Sequence, residues 1–297
     1  MPDLRVVLDT DTFNEVDDQF ALAHLLLSDV RLEAVYAAPF HNERSTGPAD
    51  GMEKSYQEIQ HILELVGADP APPTFRGSRQ FLPGPGEPVE SEAVHDLIER
   101  AMAPRSGKLH VAAIAASVLA WFGVWVSGGS PALNILALMA AIAAATNVAS
   151  ALLIEPRIAE KITVVWLGGH APFLSDTREF NLQQDLHAAR VLLDSPVPLV
   201  LLPCYPVCSH LKTTLPELEA LLAPRSRLGA YLTRIVRGHG PGVPAWSKVI
   251  WDLAASAWIV NPKWIQTLKV PSPVLRDDVT WQLPTPAGRR EIDMAIV

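Results

Sequence analysis

Strand-like and helix-like segments alternate along most of this chain, which predicts an α/β fold: a Rossmann-like, mostly parallel central sheet with helices on both faces. Three observations carry that expectation. Short apolar runs at residues 4–8, 32–38, 164–167 and 198–202 have the length of buried strands. Segments with helical spacing stand between them. The runs at 4–8 and 164–167 also end in acidic or glycine turns, where α/β sheets place ligands at the carboxyl ends of their strands. With 297 residues and 49% hydrophobic composition, the chain can bury a large core and reads as a single domain over 1–297.

The first strand, 4–8, ends abruptly in carboxylates: Asp9-Thr10-Asp11, then Asn14-Glu15-Val16-Asp17-Asp18. Five acids within ten positions repel one another unless positive charge sits among them. Phe20, Ala21, Leu22, Leu25 and Leu26 follow at helical spacing, so the acids occupy a strand-to-helix turn. A hard cation with oxygen ligands, Ca²⁺ or Mg²⁺, resolves the repulsion. The alternative is a solvated acidic loop with Asp17 or Asp18 capping the helix. A strand that ends on Asp-x-Asp favours the cation.

Residues 32–38 predict a second strand and 51–65 an amphipathic helix. Pro and Gly make 75–90 a loop, and Ser91 is placed to cap a helix over 92–102. Val164-Val165-Trp166-Leu167-Gly168-Gly169-His170 is a buried strand running into a glycine turn, a second sheet-end site. Then come a strand at 198–202, helices at 215–222 and 228–236, a mobile loop at 238–244, and a helix carrying Asp252. The tail, 271–297, reads as strands and turns without chemistry.

A net charge of −8 argues against nucleic acid, which needs a basic face. Cys204 and Cys208 lack nearby paired ligands and read as ordinary intracellular thiols. Met1-Pro2-Asp3 offers neither the basic nor the apolar part of a signal peptide, so the expected compartment is the cytoplasm.

Four segments together resemble the inosine-uridine preferring nucleoside hydrolases, calcium-dependent enzymes that cleave the N-glycosidic bond of ribonucleosides. They are Asp9-Thr10-Asp11…Asp17-Asp18, Ala145-Thr146-Asn147-Val148-Ala149, Arg178-Glu179-Phe180-Asn181 and Val249-Ile250-Trp251-Asp252-Leu253-Ala254, in the family's order. The first is longer than usual, with five residues (Thr12 to Val16) where the family has three. The resemblance implies a nucleoside hydrolase fold, a Ca²⁺ cofactor, a small nucleoside as the only partner apart from another copy of the chain, and a place in purine or pyrimidine salvage. It implies that Asp11 binds the metal and accepts a proton from the attacking water. Asp18, Asp252 and the Thr146 carbonyl would complete the metal shell. Asp17 would accept hydrogen bonds from the ribose 2′-hydroxyl, with Glu179, Asn181 and Asn42 on the other hydroxyls. The bland roles left open are a helix N-cap for Asp252 and capping or turn roles for Glu179 and Asn181.

The reaction passes through an oxocarbenium-like ribosyl cation, so it needs a positioned water, a base and negative charge near the sugar. The departing base also needs a proton or a hydrogen bond. Many of these hydrolases place a His before the late Asp, where this chain has Trp251, which stacks and donates one hydrogen bond but is no acid near neutral pH. His170 and His239 are the candidate donors, while His41 and Asn42, at the end of the second strand, are candidates for the place of a ribose-contacting Asn.

One stretch departs from the pattern. Residues 109–154 contain no Asp, Glu, Lys or Arg, and Ala112-Ala113-Ile114-Ala115-Ala116 recurs as Ala140-Ala141-Ile142-Ala143-Ala144, 28 residues later. Related hydrolases run one strand straight into the Thr-Asn turn. The strand is therefore expected at 109–114 and an apolar insertion at about 115–142, a translated intron or other gene-model error. The alternatives are a membrane-associated protein, with this stretch near the short limit of a span, and a non-catalytic relative that binds calcium or ribose.

Overall fold

Successive side chains of a strand point to opposite faces, so near-continuous apolar runs make both faces of a sheet apolar and both must be covered. The computed structural model describes residues 4–103, 138–174, 176–243 and 245–296. Its strands are β1 (Arg5–Thr10), β2 (Arg31–Ala37), β3 (Thr74–Arg76), β4 (Leu138–Ile142), β5 (Thr163–Leu167), β6 (Leu199–Leu202), β7 (Lys212–Thr214), β8 (Ser247–Val249), β9 (Thr267–Pro271) and β10 (Glu291–Ala295). The helices used below are α1 (Asp18–Leu27), α2 (Pro48–Val66), α3 (Glu92–Met102), α4 (Thr146–Ile154), α5 (Phe180–Gln184), α6 (Leu186–Asp194), α7 (Arg227–His239) and α8 (Leu253–Val260).

Eight strands form one sheet in the order β3-β2-β1-β4-β5-β6-β10-β9, all parallel except β9, which runs antiparallel to β10. Val7, Tyr36, Val164 and Trp166 pack on one face with α3, α4 and α6. Val6, Leu8, Val35 and Val165 pack on the other with α1, α2, α7 and α8. The α/β sheet with helices on both faces is therefore the observed fold. Adjacent side chains on β1 serve opposite cores, so a one-residue register slip would exchange the two faces.

Local signals set several boundaries. α2 begins with Pro48 in its first turn and ends at Gly67, whose φ of 68° is the left-handed conformation that glycine adopts freely. The Ser91 hydroxyl accepts the Val94 N–H and caps α3.

Other expectations are corrected. Residues 74–76, inside and beside the expected loop, form the edge strand β3, because their backbone pairs with Val35, Tyr36 and Ala37. The helix expected over 228–236 continues through Gly238 and His239, so the following loop is shorter. The helix expected over 215–222 is a single α-turn followed by a π-turn over Leu218–Leu222.

Ahead of the Thr-Asn turn, residues 109–114 and 115–137 lie outside the described residues. The strand itself is Leu138–Ile142, the segment expected to close the insertion. It pairs with β1 from Val6↔Leu138 to Thr10↔Ile142 and with β5 from Leu138↔Thr163 to Ala141↔Trp166. Ile142 stands four positions before Thr146, so this copy of the repeat feeds the turn directly. Among the described residues no helix is long and apolar enough to cross a membrane.

Candidate active site

The parallel order brings the carboxyl ends of β1, β4 and β5 together, and the acids cluster there. Asp9, Asp11, Asp17, Asp18 and Asp252 are all buried. Asp17 and Asp252 occupy the N-cap positions of α1 and α8, yet neither side chain makes a capping hydrogen bond. The bland capping role is thus not the one these carboxylates play. One oxygen from each of Asp17, Asp18 and Asp252 lies within 4.8 Å of the others.

Burial without compensation is costly for ionised groups. Asp9 Oδ2, both oxygens of Asp11, Asp17 Oδ1 and Asp18 Oδ2 are buried without a hydrogen-bond partner. Burial, then the Asp18 charge, holds Asp11 well above the usual carboxylate range. Burial and the charges of Asp18, Asp17 and Asp11 do the same to Asp252. Burial, then Asp17, pushes Asp18 up to about 7, and burial pushes Asp9 to about 7 and Asp17 to about 6. An all-oxygen, buried and under-satisfied donor set fits a hard divalent cation.

Neighbouring residues fix the aspartates. The Thr10 hydroxyl donates to Asp18 Oδ1 at 2.6 Å. Asn147 Nδ2 donates to Asp9 Oδ1 at 2.8 Å, while Asn147 Oδ1 accepts the Ser78 N–H and hydroxyl. Thr146 opens α4, and its hydroxyl donates to Asp185 Oδ2 at 2.7 Å. Asp185 also accepts the Leu82 and Ala188 N–H groups, so one buried acid joins three segments.

A cavity of about 460 Å³ opens beside the cluster. Asp17, Asp252, Asn42, Trp251, His170 and His239 line it, as do Glu179 and Asn181; exposed His41 does not. Glu179 caps α5: its carboxylate accepts the Asn181, Leu182 and Gly169 N–H groups at 2.8–3.1 Å. Asn181 Nδ2 donates to the Leu167 carbonyl at 3.2 Å. The capping and turn roles left open for these two residues are therefore present, and both residues still face the cavity. Gly169 has a φ of 69°, and a Cβ there would stand 2.7 Å from Thr177 Oγ1, so the turn that aims its N–H at Glu179 requires glycine. Cys204 also lines the cavity and hydrogen-bonds Glu179; burial pushes its thiol well up, so it stays protonated. Cys204 and Cys208 are free. Burial lowers the pKa of His170, whose Nδ1 has no hydrogen-bond partner.

Sequence reasoning missed Lys248, Arg44 and the role of Glu15. Lys248 is 3% exposed, with Nζ 2.8 Å from Glu15 Oε1 and 3.6 Å from Asp17 Oδ1. Arg44 donates to the Glu15 carbonyl at 3.1 Å, and Asn42 Nδ2 donates to the Asn14 carbonyl at 3.2 Å. The extra length of the aspartate turn is thus held as cavity wall. That unusual spacing was the one available signal; nothing around residue 248 announces a buried ammonium.

The family model of the inosine-uridine preferring nucleoside hydrolases matches residues 6–283. Among solved structures, a plant nucleoside hydrolase superposes with a TM-score of 0.68 at 18% identity, covering 100% of this chain and 95% of that one. A purine-preferring ribonucleoside hydrolase from Gardnerella vaginalis gives 0.61 at 20% identity, covering 99% and 88%. An inosine-uridine preferring nucleoside hydrolase from Bacillus anthracis gives 0.65 at 15% identity, covering 99% and 94%. At these identities the structural likeness speaks for the fold. A comparison with curated proteins finds no match.

Proposed function

The chain belongs to the inosine-uridine preferring nucleoside hydrolase family, and from that premise we propose that it hydrolyses ribonucleosides to ribose and free base with a bound calcium ion. The observation that carries the reading is the row of buried, unpartnered carboxylate oxygens on Asp9, Asp11, Asp17 and Asp18 beside a cavity of nucleoside size. Asp11, Asp18, Asp252 and the Thr146 carbonyl would hold the cation. Calcium, when bound, lowers the pKa of a water and offsets the clustered negative charge.

The chain's own groups do the rest. Asp11 accepts the proton of the attacking water. Asp17, Asn42, Glu179 and Asn181 hold the ribose hydroxyls, and the negative charge of Asp17 and Glu179 favours the cationic ribosyl transition state. Glu179 binds through oxygens already oriented by three N–H donors, which spares it reorganisation when the sugar arrives. Trp251 stacks against the base. His170 and His239 are the titratable donors lining the cavity for the departing base. The reading assigns the protein to the cytoplasm and to salvage of purines or pyrimidines.

The test is release of free ribose from a panel of nucleosides, with added Ca²⁺ and with EDTA, beside Asp11→Ala. Metal-dependent release lost in Asp11→Ala supports the reading and reveals the preferred base. Trp251, standing where many relatives carry His, favours a second reading: calcium and ribose binding without turnover. Calcium binding with no release from any nucleoside would select it.

A further inference from the structure

Within the acidic cluster, Asp17 stands apart because a cation already faces it. Lys248 lies on β8, a two-stranded ribbon partner of β7, and is 3% exposed. Its ammonium donates to the Val249 carbonyl at 2.7 Å, pairs with Glu15 Oε1 at 2.8 Å and stands 3.6 Å from Asp17 Oδ1. The other Asp17 oxygen accepts the Trp251 N–H at 3.0 Å. Both oxygens of Asp11, Asp18 Oδ2 and Asp17 Oδ1 are all without a hydrogen-bond partner, but of these, among the described residues, Asp17 Oδ1 alone has an ammonium within 4 Å.

A divalent ion on Asp17 Oδ1 would lie beside an ammonium in a site shielded from water, where like charges repel strongly. A neutral sugar hydroxyl meets no such repulsion and donates to the same oxygen. Asp17 also lines the cavity. Glu15, in the lengthened turn, holds the ammonium in place and also lies 3.3 Å from His239 Nε2.

We propose that Lys248 is a positioning residue that divides the labour of the aspartate cluster: it withholds Asp17 from the metal and keeps it as acceptor for a ribose hydroxyl, leaving Asp11, Asp18 and Asp252 to the cation. The assignment of the hydroxyl to a ribose rests on the nucleoside hydrolase reading above; the withholding from metal does not.

The experiment uses the full chain and two readouts. Calorimetric titration with Ca²⁺ alone compares wild type, Lys248→Met, Asp17→Asn and Asp18→Asn. Lys248→Met should bind calcium as tightly as wild type or more tightly, and Asp17→Asn within about threefold, whereas Asp18→Asn should lose at least about tenfold. The second readout is the preference for a ribonucleoside over its 2′-deoxy analogue. In Lys248→Met that preference should fall about tenfold, with the loss in KM rather than kcat. Calcium binding that weakens in Lys248→Met, or as much in Asp17→Asn as in Asp18→Asn, overturns the proposal. So does an unchanged ribose preference in Lys248→Met. Should that variant not fold, Glu15→Gln, which removes the clamp on Lys248, must lower the preference in its place; an unchanged value overturns the proposal. A wild type that releases no ribose but shows this calcium pattern rejects the hydrolase reading and leaves the division of the cluster standing.

Discussion

Asp17, Asp252 and Glu179 all line the cavity as buried carboxylates at helix N-caps, yet they are treated in opposite ways. Glu179 accepts three backbone N–H groups and closes its own helix. Asp17 and Asp252 cap nothing, and around them Asp11 and Asp18 leave buried oxygens bare. A carboxylate satisfied locally stabilises the fold on its own. One withheld from its local donors raises the energy of the protein until a ligand arrives, and that is the mark of a binding pole.

The sharpest way to break this comparison is Asp11→Ala. Loss of the proposed base and metal ligand should cut ribose release by about 10²–10⁴-fold while thermal stability without calcium holds or rises, since a strained charge is gone. A drop in calcium-free stability would place Asp11 with the structural acids.

Glu179→Gln probes the opposite pole. An amide keeps one acceptor oxygen but turns its NH₂ toward backbone N–H groups, so urea unfolding should show a loss of about 1–3 kcal/mol. KM should also rise about tenfold for a ribonucleoside if the residue holds the sugar. A stability loss with unchanged KM would reduce Glu179 to a cap.

Acidity gives a third contrast. Asp9 is held at about 7 against an ordinary 3.8 by burial. A raised carboxyl pKa contributes stability that is present below pH 3.8 and is lost as pH rises through 7, because the folded state holds a proton that the unfolded state has released. Calcium-free protein should therefore lose up to about 1.4 kcal/mol per pH unit per such group between about pH 5 and 7. Saturating Ca²⁺ should flatten that slope, and parallel unfolding curves with and without EDTA would contradict it.

The smallest effect is expected from removing 115–142. The deleted length equals the offset of the repeat, so His110-Val111-Ala112-Ala113-Ile114 would enter the register of Leu138–Ile142 and run into the same Ala143-Ala144-Ala145-Thr146 turn. Such a variant should fold with calcium affinity within about threefold of the full chain. Failure to fold would show that the longer chain is needed.

Much of the sheet was legible because short continuous apolar runs and turn residues are local signals. β1, β2, β5 and β6 fall where their sequences place them, and Ser91 caps as its position suggests. β3 was missed because three residues of edge strand are specified by the exposed backbone of β2, not by their own pattern. The repeat was ambiguous for a related reason: two near-identical segments satisfy the same strand.

By itself, the sequence determined the acidic turn, the segments that share its chemistry and the family to which they belong, since residue type and spacing carry those. Tertiary structure alone decided which acids are satisfied and which are left bare. Asp252 comes from 241 residues beyond Asp11, and Lys248 reaches Glu15 and Asp17 only because β8 folds back over the β1–α1 turn. Charge compensation depends on distance in space and on the exclusion of water, and neither is written in the order of residues.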